Sequence, residues 1–114
     1  MKIPITIIAP RFLKAVSFVV DIAALTLYPF IISTEEMSEE LLRHESIHIA
    51  QQKELFVVFF YILYGWDYLK GMIKFRNKEL AYRRIRFEQE AYAHQANKHY
   101  LDNRKPHNWY QYKV

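Results

Sequence analysis

Two histidines four residues apart, with a glutamate directly after the first, are the residues most suited to chemistry in this sequence. They form the segment His44-Glu45-Ser46-Ile47-His48. On an α-helix, residues i and i+4 lie on one face, so both imidazoles can reach one ion at the roughly 2.0–2.1 Å of a zinc–nitrogen bond. Glu45 then points to the side of the ion, where a carboxylate can accept a proton from metal-bound water. The spacing predicts a zinc site with Glu45 as general base.

The third ligand of such a site must come from elsewhere in the chain, because a catalytic zinc takes three protein ligands and leaves one position for water. The chain has no cysteine, so the ligand must be His, Asp or Glu. The downstream candidates are Glu88, Glu90, His94 and His99. Glu88 and Glu90 point about 200° apart on a helix, so only one of them can face the histidines. The alternative for the motif is a pair of ordinary histidines on a helix surface.

A family resemblance bears on this choice. The segment Phe87-Glu88-Gln89-Glu90-Ala91-Tyr92 resembles the third-ligand segment of the gluzincin metallopeptidases. In their HtpX-like and CAAX-prenyl-protease-like branch, a helix carries Glu-x-x-Ala-Asp, and its first Glu binds zinc. The resemblance implies one zinc ion per chain, held by His44, His48 and Glu88. It also puts Tyr92 where the family has an Asp that orients a zinc-bound histidine, so another acid would have to serve; the aspartates are Asp21, Asp67 and Asp102.

The stretch Arg43–Gln52 is also similar to small bacterial HExxH proteins that have no assigned substrate. These share the paired glutamines and a downstream Phe-Glu-x-Glu-Ala-Tyr. Together the resemblances imply a zinc metallopeptidase, an enzyme that hydrolyses peptide bonds of a peptide or protein substrate through a zinc-activated water. The alternative is a zinc-binding or membrane-associated scaffold without turnover, or a module that binds a partner.

The segments before the motif carry strand signals. Met1–Pro10 is rich in β-branched residues and predicts a short strand, whereas Arg11–Val20 has helical character. Ala23–Ile32 contains Pro29, which lacks a backbone donor. This stretch therefore predicts an edge strand or a bent hairpin, which in a zincin could pair with an extended substrate.

Two long helices are predicted to carry the site. The first begins at Ser33 or Ser38, each followed by acids, and contains no proline or glycine before Gly65. A bend or cap is expected near the glycines. The second helix is predicted from about Lys78 to about Asn103 and carries the third ligand. We therefore expect a minimal zincin-like core of the α+β class, predominantly helical, in a single domain spanning residues 1–114.

Composition limits the partners. The net charge is +4, with cations concentrated between Lys70 and Arg86, but no nucleic-acid-binding module accompanies them, so we expect no nucleic acid partner. The apolar run Leu55–Trp66 is shorter than the roughly 20 residues of a typical membrane span. We expect a cytoplasmic protein, with peripheral membrane contact through this run and the basic stretch as the minority alternative. The sequence assigns no oligomeric state.

Aromatic residues are abundant on both predicted helices. Those of the first helix predict packing in the core or against lipid: Phe56, Phe59, Phe60, Tyr61, Tyr64, Trp66 and Tyr68. Four further side chains could supply a hydroxyl or an imidazole to the reaction centre, and the sequence does not choose among them: Tyr82, Tyr92, Tyr100 and His94.

Overall fold

A computed structural model describes residues 4–11 and 24–114 of the chain. The strands in these residues are β1 (Ile5–Ile8), β2 (Ala24–Leu27) and β3 (Phe30–Ser33). The helices are α1 (Glu39–Glu54), α2 (Val58–Phe75), α3 (Lys78–Arg83), α4 (Arg86–His94) and α5 (Tyr100–Asn103), followed by a 3-10 helix at Asn108–Gln111. The fold is α+β and predominantly helical, which confirms the predicted class.

The strands form one sheet in the order β1-β3-β2. β3 pairs in parallel with β1 and antiparallel with β2, with Leu27 opposite Phe30 across the hairpin. Pro29 lies in the turn after a cis peptide bond, so it interrupts no ladder. The predicted first strand and hairpin are therefore confirmed, with β2 at the sheet edge and β3 at its centre. The helix predicted for Arg11–Val20 lies almost wholly outside the described residues.

α1 begins at one of its two predicted caps but ends earlier than expected. Ser38, the second of the two predicted caps, accepts a hydrogen bond from the Leu41 amide at 3.1 Å. The helix stops before Phe56 and Val57, which both have positive φ angles. The prediction of a bend near the glycines is wrong, since both glycines lie inside α2. At this break the axis of α2 turns by 115° from that of α1. The turn places Phe60 of α2 in the apolar core.

The prediction of a second long helix is also wrong in its extent, because the chain between Lys78 and Asn103 forms three short helices. Ile85 leaves helical geometry, with ψ of 129°, and buries its side chain in the core. Asp67 of α2 then accepts hydrogen bonds from the backbone and the guanidinium of Arg86. The buried Asp67 thus fixes the first residue of α4, two positions before Glu88.

The apolar core uses only part of α2. Its main cluster contains Phe60, Ile85, Phe87 and Trp109, so the C-terminal segment packs back on the domain. Phe60 is the one fully buried large apolar side chain that α2 contributes. Among the described residues, no single helix is both long and apolar enough to cross a membrane. The pair α1 and α2 meets that criterion only when taken together, across the 115° bend.

The two glycines of α2 make a matched pair for testing how closely α2 and α3 approach. A Cβ at Gly71 would lie 2.9 Å from Ala81 Cα, whereas one at Gly65 would meet nothing within 4 Å. We expect Gly71→Ala to destabilise the fold by about 1–3 kcal/mol through overpacking. Gly65→Ala should stabilise the fold by about 0.5–1 kcal/mol, because alanine favours the helix. Urea denaturation measures the free energy of unfolding of both variants. Equal changes of the same sign in the two variants would contradict the close approach of α2 and α3 at Gly71.

Candidate metal centre

Three buried side chains meet at the predicted site. His44 and His48 lie one turn apart on α1, and Glu88 faces them from α4. Glu88 Oε1 lies 2.9 Å from His44 Nε2 and 3.1 Å from His48 Nε2. The three potential ligand atoms all lie within 4.8 Å of one another. The structure therefore brings together the trio that the family resemblance selects.

Two glutamines orient the two imidazoles. Gln95 Oε1 lies 2.7 Å from His44 Nδ1, and Gln51 Oε1 lies 2.7 Å from His48 Nδ1. Each amide nitrogen donates elsewhere: that of Gln95 to Glu40, and that of Gln51 to Glu90 and the Phe87 carbonyl. These bonds fix both amide oxygens toward the rings, so each Nδ1 carries the hydrogen. In the neutral form, each Nε2 then presents its lone pair toward Glu88.

The outer carboxylate oxygen of Glu88 is also bonded. The Tyr64 hydroxyl donates to Glu88 Oε2 at 2.6 Å, which leaves Oε1 directed at the histidines. Burial, together with the charge of Glu88, raises the pKa of Tyr64 well above its ordinary value and keeps this hydroxyl a donor. All outer polar atoms of the trio are thus satisfied, and with both imidazoles neutral three acceptor atoms converge on one point.

Two of the three separations between these acceptors are close to those in a tetrahedral metal site. Ligand atoms at zinc–ligand distances of about 2.0–2.1 Å lie roughly 3.3 Å from one another. The 2.9 and 3.1 Å separations are a few tenths of an ångström shorter, which small side-chain rotations can supply. Two imidazole nitrogens and one carboxylate oxygen are a common zinc donor set, and it leaves a fourth position open.

The electrostatics of the trio favour a positive charge between its members. Burial acts to lower the pKa of His48, but the Glu88 carboxylate outweighs it and raises that pKa to about 9. Burial likewise acts to raise the pKa of Glu88, yet the charge of His48 and hydrogen bonds from both histidines hold it well below its ordinary value. Either a proton or a metal ion can supply this charge.

Glu45 stands apart from the trio, on the side of α1 that faces the sheet. The Thr26 hydroxyl of β2 donates to Glu45 Oε2 at 2.5 Å, which holds the carboxylate in place. Burial raises the pKa of Glu45, while the charge of His48 and the Thr26 hydrogen bond oppose that rise. Glu45 is therefore an oriented carboxylate whose basicity is increased, as a general base requires.

A cavity of about 580 Å³ opens over His44, Glu45 and His48. β2 forms one wall, and side chains of α2, α3 and α4 form the others. Five of these are tyrosines: Tyr61, Tyr64, Tyr68, Tyr82 and Tyr92. Burial and the charge of Glu88 raise the pKa of Tyr82, so it remains a neutral donor. The cavity therefore joins the trio of His44, His48 and Glu88, the Glu45 carboxylate and several hydroxyl donors.

The other sequence candidates have different roles. Glu90 faces away from the histidines and accepts hydrogen bonds from Arg104, Tyr100 and Gln51. It is thus linked to His48 through Gln51. Tyr92 packs edge-on against His44, with ring centroids 4.5 Å apart. The remaining described candidates lie outside the trio: His94 pairs with Tyr112, Asp67 with Arg86, and His99 with Asp102 near the surface. Asp21 lies outside the described residues.

Glutamines and a tyrosine are the site residues that the sequence motifs did not identify. Gln51, Gln95 and Tyr64 each bond one member of the trio. The paired glutamines after His48 were the one available signal, since Gln51 lies three residues beyond His48 on the same helix face. Nothing in the sequence distinguishes Tyr64 from the neighbouring aromatic residues of α2.

The glutamine contact predicts a loss of zinc affinity on mutation. Gln95→Ala removes the acceptor that orients His44 and should weaken zinc binding by about 10–100-fold. Gln89→Ala is the matched control, because Gln89 bonds the carbonyls of Arg84 and Lys113 away from the trio. Competition with a fluorescent chelator measures both affinities. Equal affinities of the two variants would show that Gln95 does not orient the ligand.

Comparisons of the chain with protein-family models, with curated proteins and with solved structures find no match, so the function is inferred from the residues of this site.

Proposed function

We propose that this protein is a zinc-dependent metallopeptidase of the gluzincin type, in which His44, His48 and Glu88 hold one zinc ion. The convergence of the three acceptor atoms carries the proposal. With both imidazoles neutral, three acceptors face one another in a buried site and repel unless a metal ion lies between them or a proton is added to an imidazole. The outer atoms of all three side chains are bonded to Gln95, Gln51 and Tyr64, so the inner atoms alone remain to bind a metal ion.

The residues of the chain divide the chemistry among them. A zinc ion, when bound, supplies a Lewis acid that lowers the pKa of water toward about 7. Glu45 accepts the proton of the attacking water and returns it to the leaving amine. Thr26 holds Glu45 in position for both transfers. Tyr82 and Tyr92, which line the cavity with their hydroxyls 3.3 Å apart, are the candidates to donate to the developing oxyanion.

The sheet edge beside the cavity suggests how a peptide would bind. β2 is an edge strand, and residues Ala24–Thr26 line the cavity. Gln52 donates to the Thr26 carbonyl and accepts from the Tyr28 amide, so it occupies the edge at the end of β2. We therefore propose that an extended substrate pairs with β2 at its Ala24 end, within the stretch Ala23–Ile32 predicted from the sequence.

The test is hydrolysis of a peptide library by the zinc-loaded protein, read by mass spectrometry. We expect cleavage that a chelator abolishes and added zinc restores. The chelated protein serves as the control for contaminating proteases, because only the zinc-dependent cuts belong to this site. Zinc binding without any cleavage would reject the peptidase and leave the alternative of a zinc-binding scaffold.

A further inference from the structure

The outward face of α2 carries a stripe of large apolar side chains. It consists of Phe59, Ile62, Trp66, Leu69 and Ile73, called here the α2 stripe. At about 100° per residue they fall within an arc of roughly 80°, so they share one helix face. Their exposed fractions are 58, 60, 56, 49 and 71%, so the rest of the described chain does not bury them. A contiguous exposed apolar surface of this kind marks an interaction site.

Every exposed charged side chain of α2 is a cation. The single acid of this helix, Asp67, is buried and paired with Arg86. Lys70 and Lys74 follow one edge of the α2 stripe, and both line a surface groove with Lys113. Two more exposed cations, Arg76 and Lys78, come directly after the helix. The charge beside the stripe is therefore complementary to an anionic surface.

We propose that the α2 stripe binds the surface of an anionic lipid bilayer, with its apolar side chains in the interface and Lys70 and Lys74 at the phosphates. A helix with Trp, Phe and Leu on one face and lysines beside them lies in the plane of such an interface. A second copy of the chain fits less well. Its own Lys70 and Lys74 would approach like charges, and the stripe offers no acid to pair with them.

The α2 stripe adjoins the cavity. Tyr61, Gly65 and Tyr68 line the cavity and recur at helical spacing along the edge of α2 next to the stripe. A bilayer bound to the stripe would therefore lie beside the cavity opening. Substrates held at a membrane surface would then reach the cavity more readily than substrates free in solution. Binding of the bilayer itself does not require the metal ligands.

Flotation with vesicles tests the proposal. The full chain should float with phosphatidylcholine vesicles that contain phosphatidylglycerol, less so at high salt, and little with phosphatidylcholine alone. Ile62→Ser with Leu69→Ser should reduce the bound fraction by about tenfold or more. Lys70→Gln with Lys74→Gln should weaken binding at low salt. The matched control is Leu80→Ser with Leu101→Ser, at positions 43 and 39% exposed on α3 and α5, which should float like the wild type.

Three outcomes would overturn the proposal. The first is no flotation with anionic vesicles, and the second is flotation unchanged by both the serine and the glutamine pairs. The third is a dimer in solution that the Ile62→Ser and Leu69→Ser pair dissociates, without vesicle binding, which would assign the stripe to a second copy. His44→Ala should float like the wild type, so a failure at the metal site remains distinguishable from a failure at the membrane.

Discussion

Replacing Glu88 by glutamine should abolish the stabilisation of the fold by zinc. Zinc at 1,000 times its dissociation constant stabilises a protein that binds it only when folded by about 4 kcal/mol. The neutral amide of the Glu88→Gln variant would lack the negative charge that the two histidines and the ion require, whereas Tyr64 could still bond the side chain. Differential scanning calorimetry with and without zinc measures the shift, and we expect almost none for Glu88→Gln.

Glu90→Gln is the control for this experiment. Glu90 lies on the same helix and is fully buried, but it pairs with Arg104 and not with the histidines. Its substitution should lower the stability of the protein in both conditions, because it weakens a buried ion pair. The stabilisation by zinc should nevertheless persist, because the introduced amide oxygen can still accept from Gln51 and keep it at His48. A zinc shift lost in Glu90→Gln and kept in Glu88→Gln would require Glu90 to replace Glu88 as the third ligand.

Replacing Glu45 by glutamine should separate catalysis from metal binding. The amide cannot accept the proton of the attacking water, so we expect the rate of peptide cleavage to fall by about 10²–10⁴-fold. Zinc affinity should change little, because Glu45 bonds Thr26 and is not one of the three converging ligands. Cleavage rates of the zinc-loaded variant and its zinc affinity are the two measurements.

Glu40→Gln is the matched control for Glu45→Gln. Glu40 also lines the cavity from α1, but it is exposed and accepts a hydrogen bond from Gln95. The amide oxygen of this variant can still accept from Gln95, so the cleavage rate of the zinc-loaded variant should stay within a few-fold of the wild type. Wild-type cleavage by Glu45→Gln, or an equal loss in both variants, would contradict the assignment of Glu45 as the base.

The meeting of His44, His48 and Glu88 was predictable because the signal for the histidine pair is local. His44 and His48 are one turn apart, and the resemblance around Glu88 chose between two glutamates that point in opposite directions. The fold class was predictable for a similar reason, since the strand-forming and helix-forming stretches are each continuous in sequence. The hairpin over Ala24–Ser33 follows from β-branched residues around Pro29.

The features that the sequence did not predict depend on contacts between distant segments. The break at Phe56 and Val57 has no proline or glycine to signal it, and it follows from packing of α2 on the core. The division of the second helix depends on burial of Ile85 and the Asp67 cap. Tertiary packing overrides helix propensity at both places.

The residues that orient the trio could not be predicted from the sequence either. Gln95 and Tyr64 reach the trio from outside the motif, and an amide or hydroxyl has no characteristic spacing in sequence. The resemblance led us to seek an aspartate in place of Tyr92. In this chain neutral glutamine oxygens accept from both imidazoles, and Glu90 acts on His48 only through Gln51. The part of the site around the ligands could therefore be read only from the folded chain.

Anomalous scattering at the zinc edge from crystals of the zinc-loaded protein would locate the ion itself and so decide whether the trio is a metal centre. We expect one strong anomalous peak per chain, within bonding distance of His44 Nε2, His48 Nε2 and Glu88, with Gln51 and Gln95 still at the two Nδ1 atoms. A peak bound by other residues, or no peak between the two histidines at saturating zinc, would contradict the assignment.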